Sequence, residues 1–381
     1  MNNKLNKQTW IIKAGSSLIT NHGKGLDQQF IKNWAEQVVA LRKKNIDCIL
    51  VSSGAVAEGL NRLNIEERPH ALHDLQAAAA VGQMGLIQSY ETQFQKHNIH
   101  TAQILLTHDD LSNRQRYLNA RNTLKALLEL NVIPIINEND SIAIDEIRFG
   151  DNDTLAALTA NLMDANRLIL LTDQNGMYSS DPSLDKSATL IKKMRAGDAE
   201  LLKMASEGAP GKVGRGGMLT KVKAAERAAL SGTLTIIAGG KVEDILLKIA
   251  ANDEDNTGTW LTPDCEPIAA RKQWLAGHLQ VKGKLILDAG AISALTNKGK
   301  SLLPIGITQC IGDFKRGEAV ICQDANNNDI AQGLANYNSD ETRLIIGKPS
   351  EKIEKILGYI DNSEIIHRDN LVLLGRTNND S

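Results

Sequence analysis

Aromatic residues are scarce in this chain. Phe, Trp and Tyr make up 3% of 381 residues, against a hydrophobic fraction of 42%. Its core therefore has to be aliphatic, and aliphatic cores go with parallel strands covered on both faces. Cysteine is scarce too: Cys48, Cys265, Cys310 and Cys322 form no CxxC pair. That argues against a disulfide framework or a thiolate zinc site and makes a reducing compartment the default. Charge of one sign is lacking, with 43 Lys plus Arg against 45 Asp plus Glu and a net charge of −2. Neither a nucleic-acid partner nor a membrane surface is expected from that balance. No run approaches the roughly 20 apolar residues of a membrane span. Residues 1–10 are polar and carry no secretory signal, so the chain reads as soluble and cytoplasmic.

What the chain does have is length and alternation. Single cores stop growing near roughly 250–300 residues, so two domains are expected. Aliphatic runs at 10–12, 48–51, 102–106, 132–136, 168–171 and 234–237 read as strands. They alternate with helical patterns at 28–44, 75–97, 123–130, 154–163 and 217–230. That order predicts an α/β architecture, an open, mainly parallel sheet sandwiched by helices. Past residue 240 the pattern changes. Gly258, Pro263 and Pro267 mark a linker over 257–281, and short strand-like runs follow at 285–287, 319–321 and 344–346. The expected organisation is an α/β domain at 1–256, a linker at 257–281, a small mainly β domain at 282–360 and a tail at 361–381.

Five polar or Gly-rich clusters fall at strand-to-helix junctions of the first part. In open α/β sheets ligands bind at the carboxyl ends of the strands, so the clusters should converge. Lys13-Ala14-Gly15-Ser16-Ser17 offers an ammonium beside free backbone N–H groups, both suited to phosphoryl oxygens. It is not a Walker A loop, since the lysine precedes the glycine. Ser52-Ser53-Gly54-Ala55 is a second anion-sized turn, and Asn137-Glu138-Asn139-Asp140 can donate to and accept from an amino-acid head group. Gly150-Asp151-Asn152-Asp153-Thr154 precedes a helix; an N-cap accounts for one of its acids or amides, and the others can orient lysines or bind a cation. Gly214-Arg215-Gly216-Gly217-Met218-Leu219-Thr220-Lys221 is a Gly-rich loop feeding a helix, with a lysine in its first turn. Thr172-Asp173 ends another strand as a possible nucleotide contact. Singly, each also fits an ordinary turn, loop or cap. Together, with no Ser-His-Asp or metal-His arrangement and no cysteine placed as a nucleophile, they point to phosphoryl transfer.

The motifs Ile136-Asn137-Glu138-Asn139-Asp140, Gly150-Asp151-Asn152-Asp153, Leu171-Thr172-Asp173-Gln174 and Gly216-Gly217-Met218 with Thr220-Lys221 resemble the amino acid kinase superfamily, and within it the glutamate 5-kinases. The likeness runs over essentially the whole chain. The C-terminal part resembles a PUA-type domain, through Ser301-Leu302-Leu303-Pro304, Arg316-Gly317-Glu318 and Tyr337-Asn338-Ser339-Asp340. The resemblance implies ATP-dependent phosphorylation of the γ-carboxylate of L-glutamate, the first step of proline biosynthesis, with Mg²⁺ bound through ATP. It implies catalytic roles for Lys13 and Lys221, oriented by Asp153. It implies glutamate binding by Ser53, Asp140 and Asn152, with Asp151 supporting that loop. ATP would meet Lys13, Thr172, Asp173 and the segment Gly214, Arg215, Gly216, Gly217, Met218, Leu219 and Thr220. Arg215 stands where the family often has a small residue or Thr, which leaves the role of that side chain open. The resemblance also implies inhibition by L-proline, a homo-oligomer and handover of the product to glutamyl phosphate reductase.

Two other readings compete. A family member acting on aspartate or N-acetylglutamate would share the fold and the phosphate machinery. RNA binding through the C-terminal domain is a reading of another class, but residues 275–381 hold 12 Lys plus Arg against 13 Asp plus Glu, with no local cluster of cations.

Overall fold

The computed structural model describes residues 7–20, 25–142, 152–182, 184–207, 217–264 and 281–374. The chain forms two compact units. The first is built on an eight-stranded sheet of β1 (Gln8–Ala14), β2 (Ile46–Ser52), β3 (Thr101–Leu106), β4 (Ile133–Glu138), β5 (Arg167–Thr172), β6 (Lys193–Arg195), β7 (Leu234–Gly239) and β8 (Thr259–Thr262). Their order is β3-β4-β2-β1-β5-β7-β8-β6, parallel throughout except where β7 meets β8. Helices cover both faces, so β2 and β4 are buried along their whole length. The sequence pays for this with unbroken aliphatic runs rather than alternation.

The order places a topological switch between β1 and β5. The chain leaves β1 for β2 on one side, and leaves β5 for β6 and β7 on the other. Ligand crevices form at such a point, outside the carboxyl ends of the strands. Ile12 and Ala14 pack with helix Gln28–Lys43 on one face. Lys13, between them, therefore faces the other side, toward helix Asn152–Met163.

The few aromatics gather on the face away from Lys13. Trp10, Trp34, Tyr90, Phe94 and Trp260 all belong to its core cluster. Trp34 meets Tyr90 edge-on at 5.7 Å between centroids. The guanidinium of Arg167 lies between Trp10 and Trp260, 4.8 and 5.3 Å from their ring centres. The rest of that cluster is aliphatic apart from Cys48, as expected.

The second unit holds a five-stranded sheet of β9 (Val281–Leu287), β10 (Ile307–Gly312), β11 (Ala319–Gln323), β12 (Asp329–Leu334) and β13 (Leu371–Leu373), in the order β10-β9-β11-β12-β13. Only β9 and β11 run parallel.

Four expectations need correction. The linker reaches too far back, because Thr259–Thr262 is β8 of the first sheet, where its Trp260 is buried. The tail starts too early, since Ile365 and Ile366 are core residues and β13 follows them. The run at 344–346 is not a strand. Asn338 and Glu341 form a capping box that starts helix Ser339–Ile345, and the aliphatic run is its last turn. The helix expected at 123–130 also begins earlier, at Arg114, in a stretch too polar to show an apolar period.

Helices Ala55–Arg62 and Leu72–Gln95 cross with their backbones in contact. A Cβ on Gly59 would lie 1.7 Å from the carbonyl oxygen of Ala78, and one on Gly82 would lie 1.9 Å from that of Ala55. Gly82→Ala would gain up to about 1 kcal/mol of helix propensity. The backbone clash outweighs that gain, and a net loss of about 1–3 kcal/mol is expected in urea or thermal unfolding.

Candidate active site

Strand ends and helix starts deliver the site. Lys13 comes from the end of β1, Asp153 from the first turn of helix Asn152–Met163, and Thr220 and Lys221 from the first turn of helix Met218–Ala229. The Lys13 ammonium lies 2.5 Å from one Asp153 carboxylate oxygen, and the Lys221 ammonium lies 3.1 Å from the other. The Thr220 hydroxyl is 2.9 Å from the oxygen that Lys221 meets. Lys13, Asp153 and Lys221 are 5%, 1% and 5% exposed.

Burial alone would push the Asp153 carboxyl up. The charges of Lys13 and Lys221, with the hydrogen bonds from Lys13 and Thr220, outweigh it and hold the group well below the usual carboxylate range. Two ammoniums and one carboxylate leave this trio a net charge of +1. Such a cluster at the switch point favours a multiply charged anion.

Beside the trio lies a chain of amides. The Asn152 side-chain amide donates at 3.0 Å to the Ser52 carbonyl, at 2.8 Å to the Ser53 hydroxyl and at 3.0 Å to Oδ1 of Asn137. Asn137 in turn donates to Oε1 of Gln83 at 2.7 Å. Tyr90 and Ser52 share a buried hydroxyl contact of 3.0 Å. Burial pushes the Tyr90 phenol up against the smaller pull of that contact, so it stays neutral. Helix Leu72–Gln95 thus grips the end of β2 through Tyr90 and the end of β4 through Gln83. Gly54, at φ +106°, makes the turn from Ser53 into helix Ala55–Arg62, a conformation that favours glycine.

Lys13, Asp153, Thr220 and Lys221 form one contacting group, and Ser53 and Asn152 a second. Asn152 and Asp153, adjacent in sequence, link the two. Thr172 ends β5, the neighbour of β1, with its hydroxyl 2.9 Å from Asp173. Since Leu171 packs in the aromatic layer, Thr172 faces the side of Lys13. Asp140 sits half-buried just past the end of β4. Gly217 caps helix Met218–Ala229, and Met218 and Leu219 lie half-buried in its first turn. Asp151, Gly214, Arg215 and Gly216 fall outside the described residues.

Sequence reasoning reaches Asn137 as part of the 137–140 cluster and misses Gln83. Gln83 gives no signal in an Ala-rich helical run. Thr220 was expected at ATP, and its hydroxyl donates to Asp153 and to the Gly217 carbonyl. For a divalent cation, no group of three or more His, Cys, Asp or Glu is assembled among the described residues. Both Asp153 oxygens already face ammoniums.

Comparison with known proteins identifies the family. A model of the amino acid kinase family matches residues 8–239, and a model of the PUA domain matches residues 283–357. The chain is 58% identical over 364 residues to a glutamate 5-kinase of Nitrosospira multiformis, covering 96% of this chain and 97% of that protein. It is 57% identical to one of Thioalkalivibrio sulfidiphilus, covering 96% of each. It is 53% identical to one of Alcanivorax borkumensis, covering 97% of each.

Asp153→Asn removes the carboxylate that both ammoniums face. Breaking a buried pair in this way is expected to cost about 3–5 kcal/mol in chemical unfolding. The folded-state value is depressed, so the contribution of Asp153 is complete above the ordinary value of 3.8 and is withdrawn as pH falls below it. The stability gap between wild type and Asp153→Asn should therefore be flat from neutral to mildly acidic pH and close only in strong acid.

Proposed function

The chain belongs to the amino acid kinase family, and on that footing we propose that it transfers the γ-phosphoryl group of ATP to the side-chain carboxylate of L-glutamate. The observation that carries this reading is the buried Lys13–Asp153–Lys221 trio at the switch point. The identity to curated glutamate 5-kinases over nearly the full length selects the substrate.

The chemistry asks little of the protein in proton transfer. The nucleophile is a carboxylate, already ionised at pH 7, so no general base is needed. What must be supplied is charge neutralisation and alignment as the phosphoryl group moves. Lys13 and Lys221 approach from two different elements and would bracket that group. Asp153 keeps each ammonium on its own carboxylate oxygen, which fixes their separation before substrate arrives. Ser53 and Asn152, with Asp140 and Asp151, would take the amino acid. Thr172, Asp173 and residues 214–220 would take the nucleotide. Mg²⁺ would enter on the ATP phosphates and neutralise their charge. That fits a site whose central carboxylate is already committed to two lysines.

The product is an acyl phosphate, labile in water, and its handover to a reductase follows from that lability. Inhibition by L-proline, a homo-oligomeric state and a cytoplasmic location complete the proposal. No helix among the described residues is long and apolar enough to cross a membrane.

The test is ATP consumption with L-glutamate, with hydroxylamine trapping the product as the hydroxamate. Hydroxamate formation with glutamate is expected, and a preference for aspartate or N-acetylglutamate would overturn the substrate. Lys221→Ala should lower kcat by about a hundredfold or more with little change in KM, the pattern of a group acting mainly in the transition state. A raised KM with normal kcat would reassign Lys221 to ATP binding. L-Proline added to the same assay should lower the rate, and an unchanged rate at high proline removes that part of the proposal.

A further inference from the structure

The amides beside the lysine trio have a fixed polarity. The carbonyl of Ser52 can only accept, so Asn152 must present its Nδ2 to it. The same Nδ2 meets Asn137, which must therefore offer Oδ1 and turn its own Nδ2 toward Gln83. Gln83 must answer with Oε1. Its remaining group, Nε2–H₂, is a donor by necessity, although an isolated glutamine could have been turned either way. That nitrogen is buried and meets no acceptor among the described residues, and the residue is only 7% exposed. Buried donors in folded proteins nearly always have partners.

The side chain cannot readily turn elsewhere. Its neighbour Gly82 is wedged against the backbone of Ala55 and Gly59, and Tyr90 ties the same helix to Ser52. Gln83 is thus held at a set distance from the Ser53 turn.

We propose that Gln83 is a substrate-binding residue whose Nε2 donates to the α-carboxylate of the amino-acid substrate. This rests on the glutamate reading above. The substrate's reacting carboxylate belongs at Lys13 and Lys221. The amides run outward from there, with Asn152 next to Asp153, then Asn137, then Gln83. The donor at the far end of the relay meets the far end of the substrate. An anionic acceptor is the chemistry that matches a buried donor, because a charge-assisted bond is stronger than a neutral one.

Gln83→Glu separates this role from a merely structural one. It keeps an acceptor for Asn137 and replaces the donor with an anion. The experiment is steady-state kinetics of the full chain with ATP and either L-glutamate or its α-amide, alongside thermal unfolding. Wild type must first show glutamate-dependent ADP formation, and its absence would defeat the underlying activity rather than the assignment of Gln83. Given that activity, Gln83→Glu is expected to raise the KM for glutamate by about tenfold to a hundredfold with the KM for ATP unchanged. The preference for glutamate over its α-amide should shrink by about tenfold, since an anion at position 83 can accept from the amide. A wild-type KM for glutamate overturns the proposal, and so does an equal rise for both substrates. Should Gln83→Glu fail to fold, Gln83→Met serves, since it removes the donor without adding charge. It must raise the KM for glutamate at least tenfold, and a wild-type value there overturns the proposal equally.

Discussion

Asp153 is the constraint on which the candidate site depends. It is a single carboxylate, 1% exposed, facing two lysines that arrive from opposite ends of the first unit's sequence. Ionised carboxylates are rarely buried without a partner, because desolvation costs several kcal/mol per ion. Here the two ammoniums win over burial, and the group stays charged. The consequence is geometric. A lysine has a long flexible stem and tends to wander. Two lysines sharing one carboxylate, one per oxygen, are held apart at a separation set by that carboxylate. Thr220 adds a third contact from the helix that carries Lys221. The first turns of two helices are thereby tied to the end of β1.

A second layer of order comes from backbone contact. Gly59 and Gly82 let two helices touch where any side chain would collide with a carbonyl. One of those helices begins just after Ser53, and the other carries Gln83 and Tyr90. The crossing therefore sets the spacing between the turn after β2 and the end of β4, and the amide chain from Asn152 through Asn137 spans it. The same layer is held elsewhere by aromatic contacts. Trp10, Arg167 and Trp260 stack there, and Arg167 also donates at 2.7 Å to the carbonyl of Ile249.

Much of this was legible in the sequence. Unbroken aliphatic runs gave the parallel strands, because burial on both faces removes alternation. Polar clusters at the ends of those runs marked where an open α/β sheet keeps its ligands, and the family resemblance picked Lys13, Ser53, Asn152, Asp153 and Lys221 out of them. What stayed hidden depended on tertiary contact. Gln83 sits among alanines in a helix, and only the fold brings Asn137 to it. Strand β8 hid because Thr259–Thr262 is short and lies among glycine and proline, and its identity as a strand comes from pairing with β7 and β6. The run at 344–346 misled because three aliphatic residues fit the end of a helix as well as a strand. The cap at Asn338 and Glu341, six or so residues earlier, decides between them.

The two buried groups, one charged and one neutral, answer to the same physics. A carboxylate buried between two lysines and a donor with no acceptor among the described residues are both costly to keep inside a protein. Cores normally avoid them, and a chain this rich in Leu, Ile, Val and Ala had the means to do so. Keeping them makes sense where an anion completes the site. In the proposed reading, phosphoryl oxygens would answer the lysines and a carboxylate would answer the amide. Pre-set cations need little reorganisation as charge moves, which is how electrostatic catalysis gains most. The costly buried groups of the site and its proposed activity are thus one property of the same residues.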